Sequence, residues 1–353
     1  MTPPEGEPRS DPALTGEVDR DVPEAGPEAW QALHGRHVTL MSSGGVDSSP
    51  EPDDVRRLLE EGECFWLDIH EPEDVDVPRL AEVFGLHPLV AEDLETFGQR
   101  PKVDAYGDHA LVVAYGASDD EDALAEVHTI VGPTWLVTLH RDDSVAFAKL
   151  HHRLTLGGRP RDPGAALHRV LDALADSFFP LLEDWDERID RLQDEVVDRP
   201  RDDHLRQVFA LKERLITVRR VVSPQRDLMA QLAGNLVELP FAGDDVRRYL
   251  RDVYDHMIRL ADMVDVERDL LTGVMEVHLA MVANRRDRVM KQLTLVATIF
   301  MPLTFVSGFF GQNFDWMVQH IGSGTAFWVA TAGQLAVALG ALWVFARRGW
   351  WSS

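Results

Sequence analysis

Apolar and polar positions follow three regimes along the chain, and each predicts a different kind of element. From His34 to about Arg159, runs such as HVTLM, CFWLDI, HALVVAYGA, EVHTIV and TWLVTLH read as strands, with the helical runs DDVRRLLEEG and VPRLAEVFGL between them. EVHTIV and TWLVTLH, joined through Gly132-Pro133, have the pattern of a hairpin. After GGRPRDPG the period becomes helical: apolar residues from Leu167 to Val196 recur every three or four positions, a coiled-coil seam with charged outer faces. Pro180 should bend this helix or mark a boundary in it. A second run from Leu205 to Val222 stops before Pro224 and is expected to fold back antiparallel on the first. A third, from Val246 to Met281, keeps the period with no proline until Pro302. It predicts one helix from Asp244 to Gly311, on the order of 100 Å long.

The third regime is uncharged. LTLVATIFMPLTFVSGFF and TAFWVATAGQLAVALGALWVFA each approach the roughly 20 apolar residues that cross a bilayer. Buried core helices would give similar runs, but two of them joined by a short loop are rare in soluble domains. Arg285, Arg286, Arg288 and Lys291 precede the first run, Arg347 and Arg348 follow the second, and the loop between them has no Lys or Arg. Cationic flanks stay on the cytoplasmic side, so both termini are expected there, with the loop facing outward and Trp316, Trp328, Trp350 and Trp351 near the interfaces. The implied organisation is a tail over 1–33, an α/β domain over 34–160, a helical stalk over 161–288, spans over 289–311 and 326–346 around an outer loop 312–325, and a basic tail 347–353. One pair of spans cannot enclose a path through a bilayer, so transport would require an oligomer.

Composition narrows the chemistry. A formal net charge of −25 excludes a nucleic-acid footprint and suits cations. Cys64 is the single cysteine, which leaves no internal disulfide or thiolate cluster and fits a reducing cytosol. The tail is rich in Pro and acids, reads as disordered, and has neither the basic start nor the apolar stretch of a signal peptide. With no Gly-rich dinucleotide motif, Ser elbow or Cys pair, neither an enzyme nor an organic cofactor is expected. SSGGVDSS, residues 42–49, looks like the phosphate loop of ATP pyrophosphatases, an enzymatic alternative. That reading requires a helix N-terminus directly after the loop, where Pro50-Glu51-Pro52 stands instead. His151-His152 reads as an exposed pair in a basic helix, without a carboxylate at hand.

VMKQLTLVATIFMPLTFVSGFFGQNF resembles the CorA-type divalent-cation channels, whose signature Gly-Met-Asn ends the first of two C-terminal spans. The resemblance continues through HPLVAEDLETFGQRPKV, DALADSFFPLLEDWDERIDRLQDEVVDRP and RDVYDHMIRLADMVDVERD, and covers nearly everything after the acidic tail. It implies an α+β fold: a cytosolic αβα domain, then long coiled-coil helices and two C-terminal transmembrane helices, in a pentameric funnel whose first span lines the pore. It implies a homopentamer in the inner (plasma) membrane, in contact with lipid, moving divalent cations. Mg2+ would be both cargo and regulator, with Co2+ a second cargo.

The resemblance also assigns residues. Gly311, Gln312 and Asn313 take the place of the signature, with Gln where the family has Met. A ring of Gly311 carbonyls and Asn313 amides would meet a hydrated ion at the outer mouth, since Mg2+ gives up its water shell reluctantly. Asp287, Met290, Met301, Thr304 and Gly308 would face the axis, Asp287 standing where the family commonly has Asn. Asp93 in AEDLE and Asp252 in RDVYD match aspartates that hold regulatory Mg2+ between neighbouring cytosolic domains, and Glu276 in VMEVH supplies a further acidic ring. The departures at Gln312 and Asp287 both touch ion selection. They leave open a proton-coupled Zn2+ carrier resembling the ZntB branch.

Overall fold

The computed structural model describes residues 38–347, apart from 49, 74–75, 119–123, 143, 156–161, 238, 240–242, 313–314, 316–318 and 321–322. The tail 1–33, Asn313 and residues 348–353 lie outside the described residues. The chain divides into two units, one running to Glu187 and resuming over Leu211–Arg268, the other made of Arg188–Ala210 and the chain from Asp269.

A seven-stranded sheet organises the first unit. Its strands are β1 (Val38–Ser42), β2 (Gly45–Asp47), β3 (Phe65–His70), β4 (Lys102–Tyr106), β5 (His109–Ala117), β6 (Leu124–Val131) and β7 (Trp135–His140), in the order β2-β1-β3-β7-β6-β5-β4. All neighbours pair antiparallel except β3 and β7, which are parallel. The expected β6–β7 hairpin is present, with Val131 opposite Leu136. Strand β5 is buried along its whole length, as its nearly unbroken apolar run requires of a strand covered on both faces. Helices α1 (Pro52–Glu61), α2 (Asp76–Phe84), α3 (Pro88–Glu95), α4 (Val145–Thr155) and α5 (Pro163–Asp176) complete the α/β region. A Cβ at Gly116 of β5 would stand 2.8 Å from the Leu174 side chain of α5, so a glycine there allows the helix its close approach.

Four long helices follow: α6 (Phe178–Asp198), α7 (Asp202–Ala233), α8 (Asp244–Phe310) and α9 (Gly324–Arg347). The boundary expected near Pro180 falls at Ser177, which puts the proline in the first turn of α6, where its missing N–H leaves no helical hydrogen bond unmade. Pro224 does not end its helix: α7 continues to Ala233. Just past that proline, Gln225 is fully buried. Its amide accepts from Tyr115 N at 2.7 Å and donates to Tyr115 O at 3.0 Å, satisfying both backbone groups of a sheet residue. That anchorage holds α7 beyond the point where local preference would stop it. The third run is one helix of 67 residues, α8, which passes Pro302 without a break.

Two further expectations are corrected. SSGGVDSS is a β-hairpin, with Ser42 opposite Gly45 and Leu40 opposite Asp47. A strand follows the glycines where a phosphate loop needs a helix, and α1 starts later behind an acidic N-cap, Glu51, so the ATP-pyrophosphatase reading fails. His151 does have a carboxylate: its Nε2 lies 3.1 Å from Asp68 Oδ2 and its ring meets Trp66 edge-on at 5.7 Å. Burial alone would raise the Asp68 carboxyl, but hydrogen bonds from His140 and His151 outweigh it and hold the group below the usual range. The interaction is internal to the α/β core, since Asp68 is buried and also accepts from Thr138.

Candidate functional site

The last turns of α8 are a polar-edged stripe on an apolar rod. Asp287, Met290, Met301, Thr304, Gly308 and Gly311 fall on alternating three- and four-residue steps, the spacing of one helix face at about 3.5 residues per turn. Thr294 and Ala297, which the apolar pattern alone does not single out, fill the steps between Met290 and Met301. All eight are exposed in the single chain, Met290 at 54% and Met301 at 71%. The half-covered positions Leu295, Ile299, Leu303 and Val306 lie on the other side of the helix. There Ser307 Oγ accepts a hydrogen bond from Gln334 Nε2 of α9 at 3.2 Å. The partly covered positions of α9 include Ala326, Ala330, Ala338 and Ala341 beside Thr331, Gln334, Leu342 and Phe345, so small residues make up half of them, a composition that lets apolar helices approach closely. One face of α8 is therefore turned toward α9, and the stripe opposite it, like Leu293, Phe300 and Phe305 on its flanks, is left open.

Within the stripe the threonines bond locally, Thr294 Oγ1 donating to Met290 O and Thr304 Oγ1 to Phe300 O, both at 2.8 Å. Each donor is thus satisfied, and the hydroxyl lone pairs remain on the open face. A Cβ at Gly308 would touch nothing, whereas one at Gly311 would come 3.1 Å from Ser307 O. Gly311 N closes the helix on Ser307 O at 3.0 Å and Gln312 N reaches Phe309 O at 3.3 Å. Gln312 is exposed. At the other end Asp287 is exposed beside Arg286, 3.7 Å away, and Glu276 is exposed higher on the helix. Two helices, α9 and the one that ends at Phe310, are long and apolar enough to cross a membrane, with none of their most apolar window buried.

The second candidate region is acidic and belongs to the first unit. Asp93 sits on α3 with its carboxylate 2.6 Å from Lys102 Nζ. Burial would lower the Lys102 ammonium, but Asp93 and Asp104 outweigh it and raise it. Asp252 is exposed on α8, and among the described residues no ion pair or hydrogen bond joins it to Asp93 within the chain. What stands near Asp252 is a group that motif reading did not single out. Asp172 and Asp176 of α5 and His256 of α8 bring their ligand atoms within 4.8 Å of one another. His256 Nδ1 is 3.2 Å from Asp176 and 3.7 Å from Asp172. Burial first, then the charge of Asp176, raises the Asp172 carboxyl, with Asp252 adding to the push. Burial lowers the nearby His168. The two aspartates line a cavity of about 830 Å³ that also holds Lys149, Arg153 and Arg169. The one-turn spacing Asp172/Asp176 was visible in DALAD; its His partner, 80 residues on, was not.

Residues 61–348 match the family described as CorA-like Mg2+ transporter protein. The cobalt/magnesium transport protein CorA of Thermotoga maritima is 34% identical over 262 residues, covering 72% of this chain and 74% of that protein. The zinc transport protein ZntB of Klebsiella pneumoniae is 29% identical over 288 residues, covering 78% of this chain and 83% of that protein. Among solved structures, the CorA magnesium transporter of Methanocaldococcus jannaschii aligns with a TM-score of 0.75 at 20% identity, over 90% of this chain and 99% of that one. The full-length CmaX protein aligns with a TM-score of 0.72 at 22% identity, over 88% and 96%.

Proposed function

The chain belongs to the CorA-like Mg2+ transporter family, one of ion transporters and not enzymes, and from this premise we propose that it is a divalent-cation channel carrying chiefly Mg2+, with Co2+ as a second cargo. The observation that carries the reading is the open stripe on α8 opposite the face turned to α9. The stripe is made of small, threonine and methionine side chains whose hydroxyl lone pairs stay open on one face of an apolar span, and copies arranged around an axis would give that face a path to line. In a homopentamer Asp287 would concentrate cations, Met290 and Met301 would form constrictions, and Thr304 would offer a polar ring. Gly311 with Asn313 would hold the hydrated ion at the outer mouth through uncharged oxygens, so that it can leave again. Both termini would be cytoplasmic, with loop 312–325 outside. Asp93 and Asp252 would bind Mg2+ between neighbouring subunits and favour the closed state, and the Asp172/Asp176/His256 group beside Asp252 supports a cation-responsive surface there.

A second reading, a proton-coupled Zn2+ carrier, is favoured by Gln312 in the signature and by the ZntB relatives. Flux into liposomes decides between them. Mg2+ uptake independent of a pH gradient is expected for the channel, whereas Zn2+ uptake that requires the gradient, with none of Mg2+, would replace it by the carrier.

A further inference from the structure

Outside the acidic sites, the first unit holds a cavity of about 490 Å³ whose charge is opposite to that of the chain. Arg100, Arg219, Arg220 and Arg268 surround it, with Leu215 and Val264 in its wall. The carboxylate at hand, Asp265, is shared by two of them, 3.1 Å from Arg219 Nε and 3.5 Å from Arg268 Nη1. Arg100 and Arg220 have no ion pair or hydrogen bond among the described residues. Arg100 and Arg220 thus bring two cationic side chains without an internal partner to the lining of one cavity, in a chain of net charge −25.

The segment that presents Arg100 is braced. Gly98 and Gln99 donate their backbone N–H groups to Glu126, Tyr115 donates to Gln99 O, and Gln99 Nε2 donates to Asp93 O at 2.5 Å and Thr96 O at 2.6 Å. The backbone that carries Arg100 is set before any ligand arrives, which leaves only its side chain to be ordered on binding. Guanidiniums match phosphate oxygens in pairs, and the apolar wall suits a flat organic body that inorganic phosphate lacks. The volume falls within the roughly 300–1,000 Å³ of small-molecule sites. We propose that this cavity binds a soluble organic polyphosphate of nucleoside di- or triphosphate type.

The test is calorimetric titration of the full-length protein in phosphatidylcholine nanodiscs, in metal-depleted buffer, with ATP and with inorganic tripolyphosphate. Saturable ATP binding is expected, tighter than tripolyphosphate, and weakened at least about tenfold in Arg100→Gln/Arg220→Gln. Arg248→Gln, elsewhere on α8, should bind as the wild type does. In the unmodified protein, ATP should shield Arg100 and Arg220 from phenylglyoxal, a readout that does not depend on the variant folding. No saturation at about millimolar ATP, equal binding by the double variant, or no shielding would overturn the proposal. So would a lipid occupant, recognised by phosphatidylglycerol enriched from mixed nanodiscs with neither soluble probe binding. Binding is read without flux, so its failure leaves the transport reading untouched.

Discussion

At the scale of single residues, the group with the most unusual environment is Glu267. It interrupts the apolar seam of α8 between Val264 and Leu271, is 2% exposed, and has Oε2 buried without a partner. Burial, with Asp186 adding repulsion, pushes its carboxyl from 4.5 up to about 8. Between those two values the folded chain keeps a proton that the unfolded chain releases, so stability falls as pH rises through this window and is lowest above it. Glu267→Gln should therefore leave melting nearly unchanged near pH 4 and stabilise the protein near pH 9, on the order of 2 to 4 kcal/mol. Thermal unfolding of the full-length protein in detergent measures this, and equal gains at both pH values would show that the carboxyl is not the cause. Asn313 and Gln312 make a different kind of prediction. Asn313→Ala should abolish flux with assembly intact, because it would take away the proposed ring of amide oxygens, while Gln312→Met should keep flux and shift the preference between Mg2+ and Zn2+ or Co2+. Ordinary conduction by Asn313→Ala would reduce the motif to a helix end.

Among the elements, α8 was the most legible, because a seam sustained over many turns leaves one solution. The strands of the α/β region were readable for a similar reason, being buried runs bounded by turn residues. β2 and β4 were missed: Gly-Val-Asp and Lys-Val-Asp-Ala-Tyr carry little apolar signal, and they lie in the sheet because β1 and β5 offer them hydrogen bonds. Pro224 misled for a tertiary reason, since the Gln225–Tyr115 pairing joins residues 110 positions apart. His151 misled likewise, its carboxylate partner lying on a distant strand. The stripe on α8 was half legible; the proposed pore positions could be named, but Thr294 and Ala297 needed the helix to be seen whole. Single cysteines on this element test which face meets water. Thr294→Cys and Ala297→Cys should react with small cationic thiol reagents and lose most of their flux, while Ile299→Cys, on the half-covered side, should be protected. Reaction of all three at one rate would mean that α8 presents no distinct aqueous face.

For the whole molecule the governing fact is a strong negative charge in a protein proposed to hold cations between its copies. Carboxylates that face one another across subunits repel, and a divalent ion that bridges them turns the repulsion into a link that is lost when the ion leaves. Within one chain Asp93 already has a cation, the Lys102 ammonium at 2.6 Å, so Mg2+ binding there has to compete with an internal one. This gives the regulatory proposal two signs to get right. Asp93→Ala with Asp252→Ala should raise flux at high internal Mg2+ and abolish the protection that Mg2+ gives against proteolysis. Lys102→Met removes the competitor and should act in the opposite sense, moving the protection midpoint to lower Mg2+. Both partners are partly exposed, so the exchange is screened and the shift should be no more than about fivefold. Limited proteolysis across a Mg2+ series, with flux measured in the same preparations, reads both. Protection that survives the double variant, or a Lys102→Met midpoint displaced to higher Mg2+, would remove Asp93 from regulation while leaving the pore stripe to be judged by its own cysteines.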